Sequence, residues 1–330
     1  MIHSAFGSNR PMVFGVLLIP AIVYGVLALS FSQAPEYALG GPLFDILISY
    51  VNSPYISVLL GLTVNLIGAY LVNLLFNSHD YSGRENYFPA LFYFLLASLE
   101  LSWIYLNPVL IGNIFVLLAL RRILRMYRVQ EITSMIYDAG VFLALGVLFF
   151  PLLIFVVPLL WLSLKQLRTF NIREWVVPII GLLTPMAFAV VLFWWQGYTI
   201  DVSEYLEFNG ISVAEIFAGH GFWYLPLLIL SLLILFIGLI TFLRDMSTST
   251  VHKKNTKKVF ATVSVLLLAV CIYGLSLTSV QEGMFATLAI PVSVFAGVYF
   301  SRTHRKKLVI VLFYLWVLLL FFYPILANRI

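Results

Sequence analysis

Charge is what this sequence has least of. Only 10% of its 330 residues are charged, against about 25% in a soluble globular chain. With 62% hydrophobic residues and a mean hydropathy of +1.03, it carries more apolar surface than a water-soluble core can hide. Cysteine is nearly missing. The single Cys271 lies in an apolar run, which excludes an intrachain disulfide framework and any C-x-x-C pair. Walker loops, G-x-S-x-G and H-E-x-x-H are absent, and the five histidines are scattered without metal-ligand spacing. No metal is therefore expected, and nothing in the sequence names a cofactor. The net charge of +5 does not imply nucleic acid, because the basic residues sit in short runs between apolar segments, where they set orientation.

What the sequence does have is long apolar runs. The first follows Arg10 and continues to about Phe31. It exceeds the ~7–15 residues of a signal-peptide core, and Pro35 directly follows the small residue Ala34, so we count it as a span. The runs predict membrane helices at about 12–33, 55–77, 87–105, 108–126, 135–149, 151–166, 176–195, 225–243, 259–279, 284–300 and 308–326. The expected fold is all-α: a polytopic transmembrane bundle of about 11 spans, forming one integral membrane domain over 1–330.

The stretch that fixes the topology runs from Asp138 to Arg168. One straight helix of that length would reach about 45 Å, too long for a hydrocarbon core of about 30 Å. Pro151 near its middle disfavours helix at the preceding residue and removes a hydrogen bond. The alternatives are one long kinked span or a hairpin of two short ones at 135–166. Charge decides between them. With the N-terminus in the cytoplasm and a hairpin, every lysine and arginine except Arg329 falls on the cytoplasmic side. With a single span, all cations from Lys165 to Lys307 would oppose the earlier ones. The basic cytoplasmic loops are then 121–134, 165–175, 244–258 and 301–307, and the external loops are 34–54 and 196–224. The expected location is the bacterial inner membrane, multi-pass, with membrane lipids as partners.

Few residues suggest chemistry. Loop 34–54 offers Glu36 and Asp45, either as solvated carboxylates beside an interfacial helix at about 42–52 or as a general base or metal ligand at the membrane surface. Glu100 lies near the end of an expected span, where an ionisable group either faces a cavity or sits at the interface beside Trp103 and Tyr105. Asn65, Asn73 and Asn113 suit interhelical hydrogen bonds. Asp138 opens the hairpin, where the helix dipole favours a carboxylate. In loop 196–224, Asp201, Glu204, Glu207 and Glu215 fall on two short amphipathic segments and His220 stands alone. Trp194, Trp195, Trp223 and Tyr224 flank that loop as an interface belt. The densest charge is RRILRMYR: Arg121, Arg125 and Arg128 share a helix face, with Arg122 beside it. Such a cluster attracts anionic headgroups or grips a lipid-linked phosphate.

Residues 80–195, including YFPALFYFLLASLE, NPVLIGNIFVLLALRRILRMY and IYDAGVFLALGVLFFPLLIFVVPLLWLSLKQLR, resemble an uncharacterised polytopic inner-membrane family of Bacteroidota, a domain of unknown function. The same stretch is similar in style to GT-C glycosyltransferases, through its DAG…LFFP…PLLWL hairpin after a basic helix end. That second resemblance implies a polyprenyl-phosphate-linked sugar as substrate and a catalytic carboxylate in the first external loop, the place of Glu36 or Asp45, with Glu100 in the cavity. The usual acidic signature and a soluble C-terminal domain are missing here. A non-enzymatic membrane subunit and a lipid or solute transporter are the other readings, the last weakened by the lack of an internal duplication. The hairpin makes a direct prediction. Accessibility reporters placed after Arg122 and after Lys165 will signal from the same compartment, and opposite signals would overturn the topology.

Overall fold

The computed structural model describes residues 6, 12–31, 40–81, 83, 85–127, 129, 131–196, 224–248, 251–274, 284–302 and 306–327. Among these, all regular structure is helical. The helices are α1 Met12–Val16, α2 Leu18–Phe31, α3 Pro42–Ser49, α4 Pro54–Ser78, α5 Phe88–Ala97, α6 Pro108–Arg125, α7 Thr133–Phe149, α8 Leu159–Leu167, α9 Ile172–Gln196, α10 Tyr224–Thr248, α11 Val251–Gly274, α12 Ala289–Arg302 and α13 Lys306–Ala327. Short 3₁₀ turns occupy Leu101–Ile104, Pro151–Val156 and Met284–Leu288. Proline opens α3, α4 and α6, where its missing N–H costs nothing. Asn107 caps α6 by accepting from the Val109 N–H at 2.8 Å.

Among the described residues, four helices are long and apolar enough to cross a membrane: Phe14–Phe31, Pro54–Ser78, Ile172–Trp195 and Lys253–Tyr273. Shorter apolar helices accompany them, including Phe88–Ala97, Thr133–Phe149 and Pro151–Leu167. Several differ from their expected form. The run at 87–105 is not one helix; α5 stops at Ala97 and a 3₁₀ turn follows. The run at 284–300 likewise begins as a 3₁₀ turn, with Pro291 in the first turn of α12. The basic loop expected at 244–258 is mostly helical, since α10 reaches Thr248 and α11 starts at Val251. Lysine and arginine are good helix formers, so charge alone does not end a helix.

The bundle has two distinct ends. At one, Asp80 after α4 pairs with Lys253 of α11 at 2.6 Å, and Tyr81 packs on Phe242 and Phe260. Arg122 of α6 meets Asp138 of α7 at 3.3 Å. Arg168, just past α8, donates to the Val129 carbonyl beyond α6. The Tyr87 N–H bonds the Phe6 carbonyl at 2.7 Å, which puts that N-terminal residue at this basic end too. At the opposite end, Leu106 donates to Ser57 Oγ, Tyr105 to the Ala28 carbonyl, and Gly41 to the Phe149 carbonyl. The chain therefore folds back between α7 and α8: α8 returns to the end where α7 began. Phe150 (φ −139°, ψ 95°) leaves the helix just before Pro151.

The fully buried helix α5 is packed against rings. Phe92 lies 4.5 Å from Trp316 and 5.2 Å from Phe300, and Phe88 contacts Phe313 edge-on. Tyr24 ties α2 to α13 through the Leu320 and Phe321 carbonyls. α7 and α9 run parallel and touch at Gly140 and Gly181. A Cβ on Gly181 would stand 2.5 Å from the Tyr137 carbonyl and 3.2 Å from Gly140 Cα. Small residues at such a crossing let backbones approach closely. Gly181→Val should cost about 1–3 kcal/mol by overpacking and lower the thermal midpoint in detergent. Gly15→Ala, with nothing within 4 Å, should not lower the midpoint.

Candidate functional site

The last turns of α6 carry the arginines to the surface of α7. Arg121, Arg122 and Arg125 line a hollow of about 160 Å³, with Leu118 and Phe142 completing its wall. Leu118 precedes the arginines by one turn, and Phe142 lies one turn beyond Asp138, so the apolar part sits deeper along both helices. Among the described residues, Asp138 pairs with Arg122. The expectation that the helix dipole accounts for Asp138 is corrected here. α7 starts at Thr133, so Asp138 lies beyond its first turn, where the dipole has faded, and its partner is a guanidinium instead. Three cations against one carboxylate leave the hollow positive. Its donors are planar and permanently charged, and they stand above an apolar wall. Arg128 lies outside the described residues.

The carboxylates take other positions. Asp45 sits in the first turn of α3, with Oδ1 beside Gly40. α3 lies over the opposite end of the bundle, where Phe44 packs on Leu106 and Ile111. Partial burial raises the Asp45 carboxyl above its usual pKa. Glu100 caps the 3₁₀ turn Leu101–Ile104, half-buried, with its carbonyl accepting from the Trp103 N–H. The break after Ala97 thus takes Glu100 out of the middle of a helix. Glu36 lies outside the described residues, as do residues 197–223 with the acidic segments and His220. Neither Asp45 nor Glu100 lines the arginine hollow, which is at the other end.

The buried amides do structural work. Asn65 Nδ2 donates to Ser98 Oγ at 2.7 Å, joining α4 to the broken end of α5. Asn113 Nδ2 donates to the Ala286 carbonyl at 2.9 Å, holding the 3₁₀ turn that leads into α12. Among the described residues, no hydrogen bond shows a comparable role for Asn73. Leu118 and Phe142 were not singled out from sequence; their helical spacing from Arg122 and Asp138 is the signal that would have found them.

Residues 38–329 match a family described as a family of unknown function, DUF6427. The chain belongs to that family. No curated protein and no solved structure matches the chain. Membership in DUF6427 supplies no activity, so the site rests on its own geometry.

Asp45 yields a test. The folded chain holds its proton more tightly than the unfolded chain, whose value is near 3.8. The contribution to stability is complete below that value and declines as pH rises through the raised folded value. Asp45→Asn should therefore slightly raise the thermal midpoint at pH 7–8, an effect kept small because much of the carboxyl is in water. The gain should fade as pH falls toward 4. A pH-independent difference would contradict it.

Proposed function

We propose that this DUF6427 member is a multi-pass protein of the bacterial inner membrane, crossing it about 11 times with its basic end in the cytoplasm, and that it holds the phosphate of an anionic lipid at that end. The observation that carries the reading is the convergence of Arg121, Arg122 and Arg125 on one hollow with an apolar wall. Guanidinium groups at a helix end meet lipid phosphates at headgroup level, and Leu118 and Phe142 suit the glycerol and first methylenes below. In this reading the protein is a membrane subunit that binds lipid without transforming it.

The orientation follows from the positive-inside rule applied to the end where the cations cluster. Cys271, 3% exposed, leaves a low background for cysteine labelling. An impermeant maleimide should label Tyr50→Cys in intact cells and Thr169→Cys only after permeabilisation.

A second reading has one observation in its favour. Asp45, with its raised pKa, has the property of a carboxyl suited to proton transfer, in the loop where a GT-C-like transferase would place its base. That reading uses a polyprenyl-phosphate-linked sugar at the outer leaflet, with Glu36 and Glu100 as further carboxylates. The two are separated by paired variants. Purified full-length protein with Arg121→Gln and Arg125→Gln should retain roughly tenfold less phosphatidylglycerol in native mass spectrometry. Unchanged retention would overturn the lipid-phosphate reading. Loss of an envelope glycan on Asp45→Asn, with the arginine variant silent, would favour the transferase.

A further inference from the structure

A larger hollow lies on the other side of α7. It has a volume of about 760 Å³ and opens between the first turns of α7 and α9. Glu131, Thr133, Arg173 and Glu174 line it together with Val177 and Ile180. The charged groups belong to the chain just before α7 and to the first turn of α9; the apolar ones lie one to two turns further along α9. The groove therefore has a polar mouth and an apolar wall, the form that accepts an amphiphile rather than a wholly soluble ligand.

Three observations narrow the occupant. The first is charge. Glu131 and Glu174 against Arg173 give the groove a negative balance, opposite to the arginine hollow across α7. Among the described residues, none of these three side chains is in an ion pair. A ligand that satisfies all of them must carry both signs. The second is depth. Phe170 and Ile172, at the foot of α9, are each 69% exposed, and the Phe170 ring packs on Trp175 at 5.0 Å. Exposed apolar and aromatic side chains beside a polar mouth mark the membrane–water boundary, so the groove opens at the level of lipid headgroups. The third is the set of donors. α7 begins without a side-chain cap, so its first N–H groups and the exposed Thr133 hydroxyl supplement Arg173. By contrast, Asn171 already caps α9 through the Arg173 N–H at 3.1 Å.

We infer that this groove holds the headgroup of an aminophospholipid of the phosphatidylethanolamine type, with its phosphate on Arg173 and Thr133 and its ammonium on Glu131 and Glu174. A primary ammonium donates three N–H bonds, which two carboxylates can accept; a choline headgroup has the same charge and no N–H to offer. A purely anionic lipid would meet the two glutamates. Val177 and Ile180 take the upper part of an acyl chain. The site shares no residue with the arginine hollow, so it stands or falls separately from the reading proposed above.

The test uses the full-length chain in nanodiscs of equal phosphatidylethanolamine and phosphatidylcholine, with retained lipid identified by native mass spectrometry after release into detergent. The wild type should retain the ethanolamine lipid about tenfold over the choline lipid, the scale of one charge-assisted hydrogen-bond set. Glu131→Gln with Glu174→Gln should bring the ratio close to one. Ile180→Trp, which fills the apolar wall and leaves the charges in place, should expel either lipid. The double glutamine variant should keep the wild-type thermal midpoint in detergent, which shows that the change in ratio comes from a folded protein. Equal retention of both lipids by the wild type, or an unchanged ratio in the double glutamine variant, would overturn the assignment. So would protection of Thr133→Cys from maleimide by soluble phosphoethanolamine and not by phosphatidylethanolamine vesicles, since the ligand would then be a free metabolite.

Discussion

A helix broken inside an apolar environment must find partners for the backbone groups it exposes, and the rest of this structure depends on how that is met at Phe150. There the chain leaves α7, because Pro151 cannot continue the ladder. The Phe149 carbonyl accepts from the Gly41 N–H at 2.9 Å. The approach is so close that a Cβ on Gly41 would stand 2.3 Å from the Leu148 carbonyl. The segment before α3 thus closes the turn of the hairpin. On the far side of the turn, Pro151–Val156 packs against α11, with Phe155 4.6 Å from Tyr273. The reversal is held by elements from well before and well after it, so it is a property of the whole bundle.

That reversal determines where the charges go. Because α8 returns to the basic end, Arg168 reaches Val129, and α9 starts beside α7 rather than across from it. Parallel packing of α7 and α9 through Gly140 and Gly181 then brings Arg173 and Glu174 next to Glu131 and Thr133. On the other face of α7, Asp138 meets Arg122. One helix base therefore separates two hollows of opposite charge at one end of the protein. The proposed lipid binding draws on that arrangement, since headgroups carry phosphate or phosphate with ammonium and the two hollows differ in the same way.

Much of this was legible in the sequence. The all-helical architecture, the fold-back at Pro151 and the gathering of cations at one end follow from run lengths, one proline and the positions of lysine and arginine. The arginines themselves were legible as a helix face. The wall of their hollow was not, because Leu118 and Phe142 look like any other apolar residues in an apolar helix. Helix interruptions were also poorly legible. The breaks after Ala97 and before Ala289 sit inside runs that read as single spans, and what holds them is remote: Asn65 for the first and Asn113 for the second.

Composition by itself determined that this chain forms helices long and apolar enough to cross a membrane, and the spacing of charge set the expectation that its cations share a side. Those properties are local, since each residue's cost of leaving water is nearly independent of its neighbours. Which residues meet at a site was decided only by the tertiary structure. Glu131 and Glu174 are 43 positions apart with a complete hairpin between them, and no pattern along the chain joins them. Their meeting depends on two glycine backbones touching, and that contact exists only once α7, α8 and α9 have packed.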